Sequence, residues 1–337
     1  MPEQKFLIAD IGGTNIRFAW FEGDPRQRRD ETTYRIDPKT NHPYEILPTL
    51  REYLARVNQP FAAACLGLAG QVEEDHVQIT NRPDRVYRRD LAASLSLPES
   101  RVMLINDMPP HLAGVDLLLP SEVVEIHPGR PDPRGSRAVL MPGTGVGVGA
   151  SVMVPGKPHQ PIASEGGHID FAPRDEQQYQ LLQFLRPMAE RQQQNHVSNE
   201  FVFCGEGLRR IFGFLQNSKS TDFTAVPTSE EITAAAAQSD LPADDLRRRT
   251  VELYVKILGA AAGNLALLFA ATGGLYLGGS ICLSLRKFLT TPLFLNEFLT
   301  SGPATHRPIL DCICVKLINY KDSGLLGAGA LAKQLLA

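Results

Sequence analysis

Thiol pairs are missing from this sequence. Its five cysteines, at positions 65, 204, 282, 312 and 314, form no CxxC pair and are odd in number. That argues against a thiolate zinc site and for a reducing compartment, with the cytoplasm as the expected location. Neither sign of charge is in excess: 34 Lys and Arg stand against 37 Asp and Glu, a net charge of −3. The chain therefore exerts no long-range pull on nucleic acid or on an anionic membrane, and neither is an expected partner. The short basic clusters, Arg88 with Arg89 and Arg247 to Arg249, read as solvated helix faces. HExxH is absent, and the start, MPEQKFLIAD, has no basic segment leading into a long apolar one, so no signal peptide is expected. One uncharged stretch, Ile257 to Leu285, is long enough to suggest a membrane span. Gly273, Gly274, Gly278 and Gly279 divide it into a helix (Leu246 to Ala271) and a short strand (Gly274 to Leu277), which suits a buried core.

What is present is an ordinary globular composition, 43% hydrophobic and 21% charged over 337 residues, enough for two domains. The stretch FLIADIGGTNIRFAWF, Phe6 to Phe21, reads as a β-hairpin: two apolar runs flank a turn carrying Gly12, Gly13, Thr14 and Asn15. Adjacent glycines allow close approach of a ligand, so the amides of this turn can converge on a phosphate. Asp10 ends the first strand at the mouth of the turn, where its carboxylate suits a Mg²⁺ held through water. A plain hairpin with an Asp cap fits the same residues. A dinucleotide-binding GxGxxG loop fits less well, because IRFAWF is strand-like where that motif opens a helix.

Further strands are expected at Glu31 to Ile36, Phe61 to Leu68, His76 to Ile79 and Arg101 to Ile105, with helices at Tyr44 to Val57 and Arg88 to Leu95, an α/β pattern. After a Pro- and Gly-rich loop, His127 to Arg137, the grammar restarts with strand Ala138 to Met141, a glycine-rich turn and strand Ala150 to Val154. The second hairpin echoes the first, so the chain reads as a duplication. Helices follow at Glu176 to Gln193, Gly207 to Leu215, Ser229 to Gln238 and Leu246 to Ala271, then a strand at Cys312 to Ile318 and a closing helix at Leu325 to Leu335.

The chemistry falls at the turns. GTGVGVG, Gly143 to Gly149, leaves backbone open for a second phosphate contact, or is a ligand-free turn. An apolar strand ends in Asn106 and Asp107, where ligands gather in open α/β sheets. Asp107 there can accept a hydroxyl proton and Asn106 can bond a neighbouring hydroxyl; an Asx cap on the next helix is the alternative. SEGGHIDFAP carries Glu165, His168 and Asp170 on a segment whose glycines oppose a helical metal pair, so bonds to a polyhydroxylated ligand suit them better. Glu200, in HVSNEF, reads by itself as a surface residue.

These motifs, with TN at 80 and 81, GGLYLGGS at 273 to 280 and GLLGAGA at 324 to 330, resemble in content and order the bacterial glucokinase family, the group without the zinc-binding cysteine motif of ROK sugar kinases. The resemblance runs over nearly the whole chain. It implies an α/β, two-domain actin-like ATPase (ribonuclease H-like) fold with a cleft between duplicated domains, a small one (1–118 plus 320–337) and a large one (119–319). It implies phosphorylation of glucose or a similar hexose at the C6 hydroxyl, with ATP and Mg²⁺, by a homodimer. Asn106, Asp107, Glu165, His168 and Glu200 match the sugar-binding positions, and Asp107 the catalytic base. ATP would meet Asp10, Gly12, Gly13, Thr14, Asn15, Gly143, Thr144 and Gly145, with the nucleoside near Gly278 and Gly279, and Asp10 would hold Mg²⁺ through water. Three departures lie near the sugar side: Phe201 and the CGEG of Cys204 to Gly207 where the family has Arg and an SG-G segment, Asp84 in place of an aromatic, and Gln71 in place of Pro. They leave room for another hexose or an amino sugar, or for a sugar sensor without turnover, although the intact Asp107 argues against the sensor.

Overall fold

Successive residues of the strand Lys5–Ile11 (β1) are buried on opposite faces, Leu7, Ala9 and Ile11 in one cluster and Phe6 and Ile8 in another. A strand apolar on both faces needs cover on both, which dictates a layered arrangement around it. The computed structural model describes residues 4–12, 15–35, 46–79, 85–162, 164–216, 226–238 and 241–336. It divides into two units, Met1–Leu119 with Asp322–Ala337, and Pro120–Lys321.

In the first unit β1 pairs antiparallel with Asn15–Glu22 (β2), which pairs with Arg28–Arg35 (β3), while Ala63–Leu68 (β4) adds parallel on the other side. A separate three-stranded sheet consists of Gly70–Val72 (β5), His76–Ile79 (β6) and Arg85–Tyr87 (β7). Val102–Asn106 (β8) completes the main sheet, whose order is β3-β2-β1-β4-β8. Leu50 and Tyr53 of the helix Ile46–Val57 and Leu91 of Arg88–Leu95 cover one face, and Leu325, Ala328 and Leu331 of the C-terminal helix Ser323–Gln334 cover the other. β3 starts earlier than its composition predicts, because Arg28 and Arg29 pair with Phe21 and Trp20 and the Arg28 guanidinium bonds Asp322. Of the expected elements, Tyr44 and Ile36 lie outside the described residues.

The second unit repeats the plan. Val123–His127 (β9) lies at one edge; Arg137–Pro142 (β10) and Val146–Val152 (β11) form the hairpin, Gln160–Ile162 (β12) flanks it, and Gly274–Leu277 (β13) and Val315–Ile318 (β14) follow. The order is β12-β11-β10-β13-β14-β9, with β10, β13 and β14 parallel. Two expectations are corrected. Gly147 and Gly149 lie inside β11, paired with Met141 and Val139, so only residues 143–145 form the turn. Cys312 ends a short helix, Arg307–Cys312, with Pro308 in its first turn, and the expected strand there starts only at Val315. The edge strands β9 and β12 and the short helices between 279 and 299 carry too few residues to show a period. Leu246–Leu268 is the one helix among the described residues long and apolar enough to cross a membrane, and 72% of its most apolar window is buried in this unit's core.

The helix after β8, Met108–Val115, is pressed against the C-terminal helix with backbones in contact. A Cβ on Gly114 would strike the Ser323 carbonyl, and one on Gly327 the Pro110 carbonyl. Both obstacles are main chain, which cannot swing aside, so Gly327→Ala is expected to lower stability by about 1–3 kcal/mol. A urea melt reads this directly; an unchanged midpoint would mean the helices stand further apart.

Candidate active site

In the first unit the parallel register aligns Ile11 of β1 with Leu68 of β4, and Leu68 with Asn106 of β8. Asp10 and the Asn106–Asp107 pair therefore share the edge formed by the carboxyl ends of the strands, their backbones about 10 Å apart across two strand spacings. The first turn is closed by the Gly12 N–H donating to the Asn15 carbonyl, 2.9 Å. A Cβ on Gly12 would meet nothing closer than that same carbonyl, at 3.9 Å, and its φ is not positive. Neither packing nor backbone conformation requires this glycine, and the bare amide face it leaves fits a phosphate. Gly13 and Thr14 lie outside the described residues.

Asp10 is not a hairpin cap. Its Oδ2 accepts from Arg17, the residue facing it across the hairpin, and the Arg17 guanidinium also reaches Asp322 Oδ1 at 2.8 Å. Burial by itself would lower the Arg17 pKa, but the Asp10 and Asp322 carboxylates outweigh it and hold that pKa raised. Arg28 binds the other Asp322 oxygen, 2.8 Å. Next to this group, desolvation keeps the His111 imidazole below its ordinary pKa, against the pull of Asp10 and with the push of Arg17; its Nδ1 is 2.9 Å from Ser323 Oγ. Among the described residues no three potential ligands converge on a metal position. A cation at Asp10 would be held chiefly by water and phosphate oxygens, as Mg²⁺ commonly is.

At the end of β8 the helix cap falls to Asn106. Its Oδ1 accepts from the Met108 N–H and its Nδ2 donates to the Gly70 carbonyl, both at 3.0 Å. Asp107 occupies the N-cap position without a side-chain cap bond. Asn106 keeps one N–H and one lone pair for a ligand. Gly67 leaves room beside it, since a Cβ there would crowd Pro110 at 3.1 Å and the Asp107 backbone at 3.6 Å.

In the second unit three sequence motifs converge on one turn. Gly143 N–H donates to the Gly145 carbonyl (2.8 Å), and a Cβ on Gly143 would meet nothing closer than that same carbonyl, at 4.0 Å. Thr144 is exposed at the tip. Glu200 is no surface residue: it is half-buried on the short helix Asn199–Phe203, capped by Ser198, and its Oε2 accepts from the Val146 N–H at 3.0 Å. Glu165 and His168 flank the 3₁₀ turn Gly166–His168, with side chains 71% and 56% exposed and 3.8 Å apart. Backbone bonds of 2.8 Å from Phe171 to Val197 and from Asn199 to Ile169 tie this segment to the one carrying Glu200. Gly278 and Gly279 stand beside the end of β10; a Cβ on the first would press on Met141 at 2.7 Å, and the second has φ +82° against the Pro142 carbonyl.

The departures resolve in part. Phe201 is buried in the core under the Arg210 guanidinium, 3.7 Å from its ring centre, and the Arg210 N–H donates to the Phe201 carbonyl at 2.7 Å. CGEG is the junction between two helices, where a Cβ on Gly207 would strike the Val202 carbonyl. Residues 80, 81 and 84 lie outside the described residues, as does the side chain of residue 71. Sequence reasoning missed Arg17, Asp322 and the Val146 amide. Only Arg17 left a signal, as the one charge in the run Ile16 to Phe21.

Comparison with known proteins agrees over the length of the chain. The family described as Glucokinase matches residues 7–335. A glucokinase of Saccharophagus degradans is 30% identical over 332 residues, covering 98% of each chain. The crystal structure of a glucokinase from an Antarctic psychrotroph superposes with a TM-score of 0.80 at 27% identity, over 98% of this chain and 99% of that one. A ROK family glucokinase of Streptomyces griseus, solved with glucose and AMPPNP, shares the fold at a TM-score of 0.63 and 17% identity, over 98% and 99%. With a family match that spans both glycine turns and the strand end that carries Asp107, the chain belongs to the glucokinase family of enzymes.

Proposed function

We propose that the protein transfers the γ-phosphoryl group of ATP to the C6 hydroxyl of glucose, with Asp107 as general base. The observation that carries this reading is the register of β1, β4 and β8, which brings Asp107, after the end of one strand, and the glycine turn, after the end of another, to the same edge of the sheet. The glucose and AMPPNP bound by the Streptomyces griseus enzyme support it. Phosphoryl transfer has a loose transition state, so the protein's work is to position the acceptor, stabilise charge and take a proton.

Asp107 takes the proton of the C6 hydroxyl as that oxygen attacks the γ-phosphorus in line, and ADP leaves. Asn106, Glu165, His168 and Glu200 hold the ring hydroxyls. The amides around Gly12 to Asn15 and Gly143 to Gly145 receive the phosphates, with the nucleoside toward Gly278 and Gly279. Mg²⁺ at Asp10, bound through water, would screen the charge of the phosphates. Exclusion of water during the transfer would keep ATP from wasteful hydrolysis. All five thiols are unpaired and four are buried, which suits a reducing cytoplasm; we expect a homodimer there.

Coupled ADP-release assays over a panel of hexoses test the substrate. Turnover on glucose is expected; activity only on mannose, fructose or glucosamine would move the assignment to that sugar, and none on any hexose would favour a sensor. Asp107→Asn keeps the size of the side chain but removes the proton acceptor, so kcat is expected to fall by about 10²-fold or more, with a smaller change in glucose affinity and a native melting curve. Near-normal turnover in the folded variant would remove Asp107 as the base. Gly143→Val should weaken nucleotide binding more than sugar binding, measured by calorimetry, because a branched side chain would fill the open face of that turn.

A further inference from the structure

We propose that Gly145, beyond its place in the second glycine turn, is a positioning residue for the sugar: together with the Val146 amide it forms the seat of Glu200 and joins that turn to the sugar carboxylate as one piece. This rests on the reading of Glu200 as a sugar ligand. The two ends of the turn differ in what their missing side chains leave behind. At Gly143 a Cβ would make only an ordinary contact, with the Gly145 carbonyl at 4.0 Å. At Gly145 it would lie 2.7 Å from Glu200 Oε2 and 3.5 Å from its Cδ, and nothing else stands within 4 Å. The Gly145 backbone is outside the left-handed region, so conformation does not call for a glycine there. The Glu200 carboxylate is what excludes a side chain at this position.

One bond holds that carboxylate, and two further contacts fasten the segments around it to the same turn. Its Oε2 accepts from the Val146 N–H at 3.0 Å, a charge-assisted bond. The chain leaving its helix returns to the same turn, where the Gly205 N–H donates to the Gly143 carbonyl at 3.1 Å. The segment with Glu165 and His168 also rests on Val146, since a Cβ on Gly167 would strike the Val146 carbonyl. Val146 thus uses its N–H for Glu200 and its carbonyl as the floor of the Glu165–His168 turn. With Oε2 held, Oε1 is the oxygen presented to a hydroxyl, and any side chain at 145 displaces it.

A double-mutant cycle tests the proposal. Gly145→Ala, Glu200→Ala and the double variant are compared by calorimetry with glucose and with MgATP and by thermal melting without ligand. Gly145→Ala is expected to weaken glucose binding on the order of tenfold, the loss of one charge-assisted bond, with a smaller effect on nucleotide. It is also expected to lower the melting temperature, and the double variant to regain that loss because the clash is gone. Additive melting effects, or nucleotide affinity falling more than glucose affinity, would overturn the proposal. Should Gly145→Ala fail to fold, a folded double variant supports the seat and an unfolded one overturns it. If Glu200→Ala leaves glucose affinity unchanged, the assignment of Glu200 as a sugar ligand fails, while the melting cycle still reports separately on the contact with Gly145.

Discussion

Arg17 is held between two carboxylates from opposite ends of the chain, Asp10 beside the first turn and Asp322 at the start of the C-terminal helix. The first unit is assembled from two stretches of sequence, and this is where the second stretch is fastened to the first. Half-buried ion pairs add little net stability, because desolvation offsets most of the attraction, yet breaking one strands a charge at a cost of several kcal/mol. Their effect is on geometry. Arg17 holds Asp10 by Oδ2, and Asp322 spreads its two oxygens over Arg17 and Arg28. The helix that follows Asp322 then meets the helix that follows Asp107 through Gly114 and Gly327. One ion cluster and one glycine crossing thereby set the two carboxylates of the first unit against the same framework.

The two main sheets share one strand order, β3-β2-β1-β4-β8 and β12-β11-β10-β13-β14, with β9 added to the second. Corresponding positions have diverged in chemistry. Asp10 is the second residue before the first turn in register terms, facing Arg17; its counterpart is Met141, facing Gly147 and packed toward Gly278. The first hairpin carries a carboxylate of its own at this position, and the second carries a thioether. At the second hairpin Val146, the first residue of β11, instead bonds Glu200 and floors the turn between Glu165 and His168. Duplication supplied two similar turns, and the side chains around them divided the work.

The α/β plan and both hairpins were legible because strands buried on both faces read as near-continuous apolar runs, as FLIADI and AVLMP do. The long apolar helix was legible from its glycine boundaries. β3 was read short because its two arginines look like turn residues until Asp322 and the hairpin beside them are known. Cys312 was read as strand because a six-residue helix carries no detectable period. The candidate site was readable where its residues stand at or near the end of their own strand, as Asp10, Asn106 and Asp107 do, and unreadable where a side chain depends on distant main chain. Glu200 shows the limit: its partner is an amide 54 residues earlier, and main-chain groups carry no signature in sequence.

Asn106 and Asp107 differ by one charged group and are not interchangeable. Asn106 spans an acceptor and a donor, the Gly70 carbonyl and the Met108 amide, and only a side chain with both an N–H and an oxygen can bridge them. A carboxylate at 106 would have no hydrogen to give Gly70. At 107 the side chain is a carboxylate, which can accept a proton where an amide cannot. The neighbour already caps the helix, and Asp107 makes no side-chain cap bond of its own. The order Asn then Asp thus gives the bridge between Gly70 and Met108 to the neutral side chain and sets a group able to accept a proton at the next position.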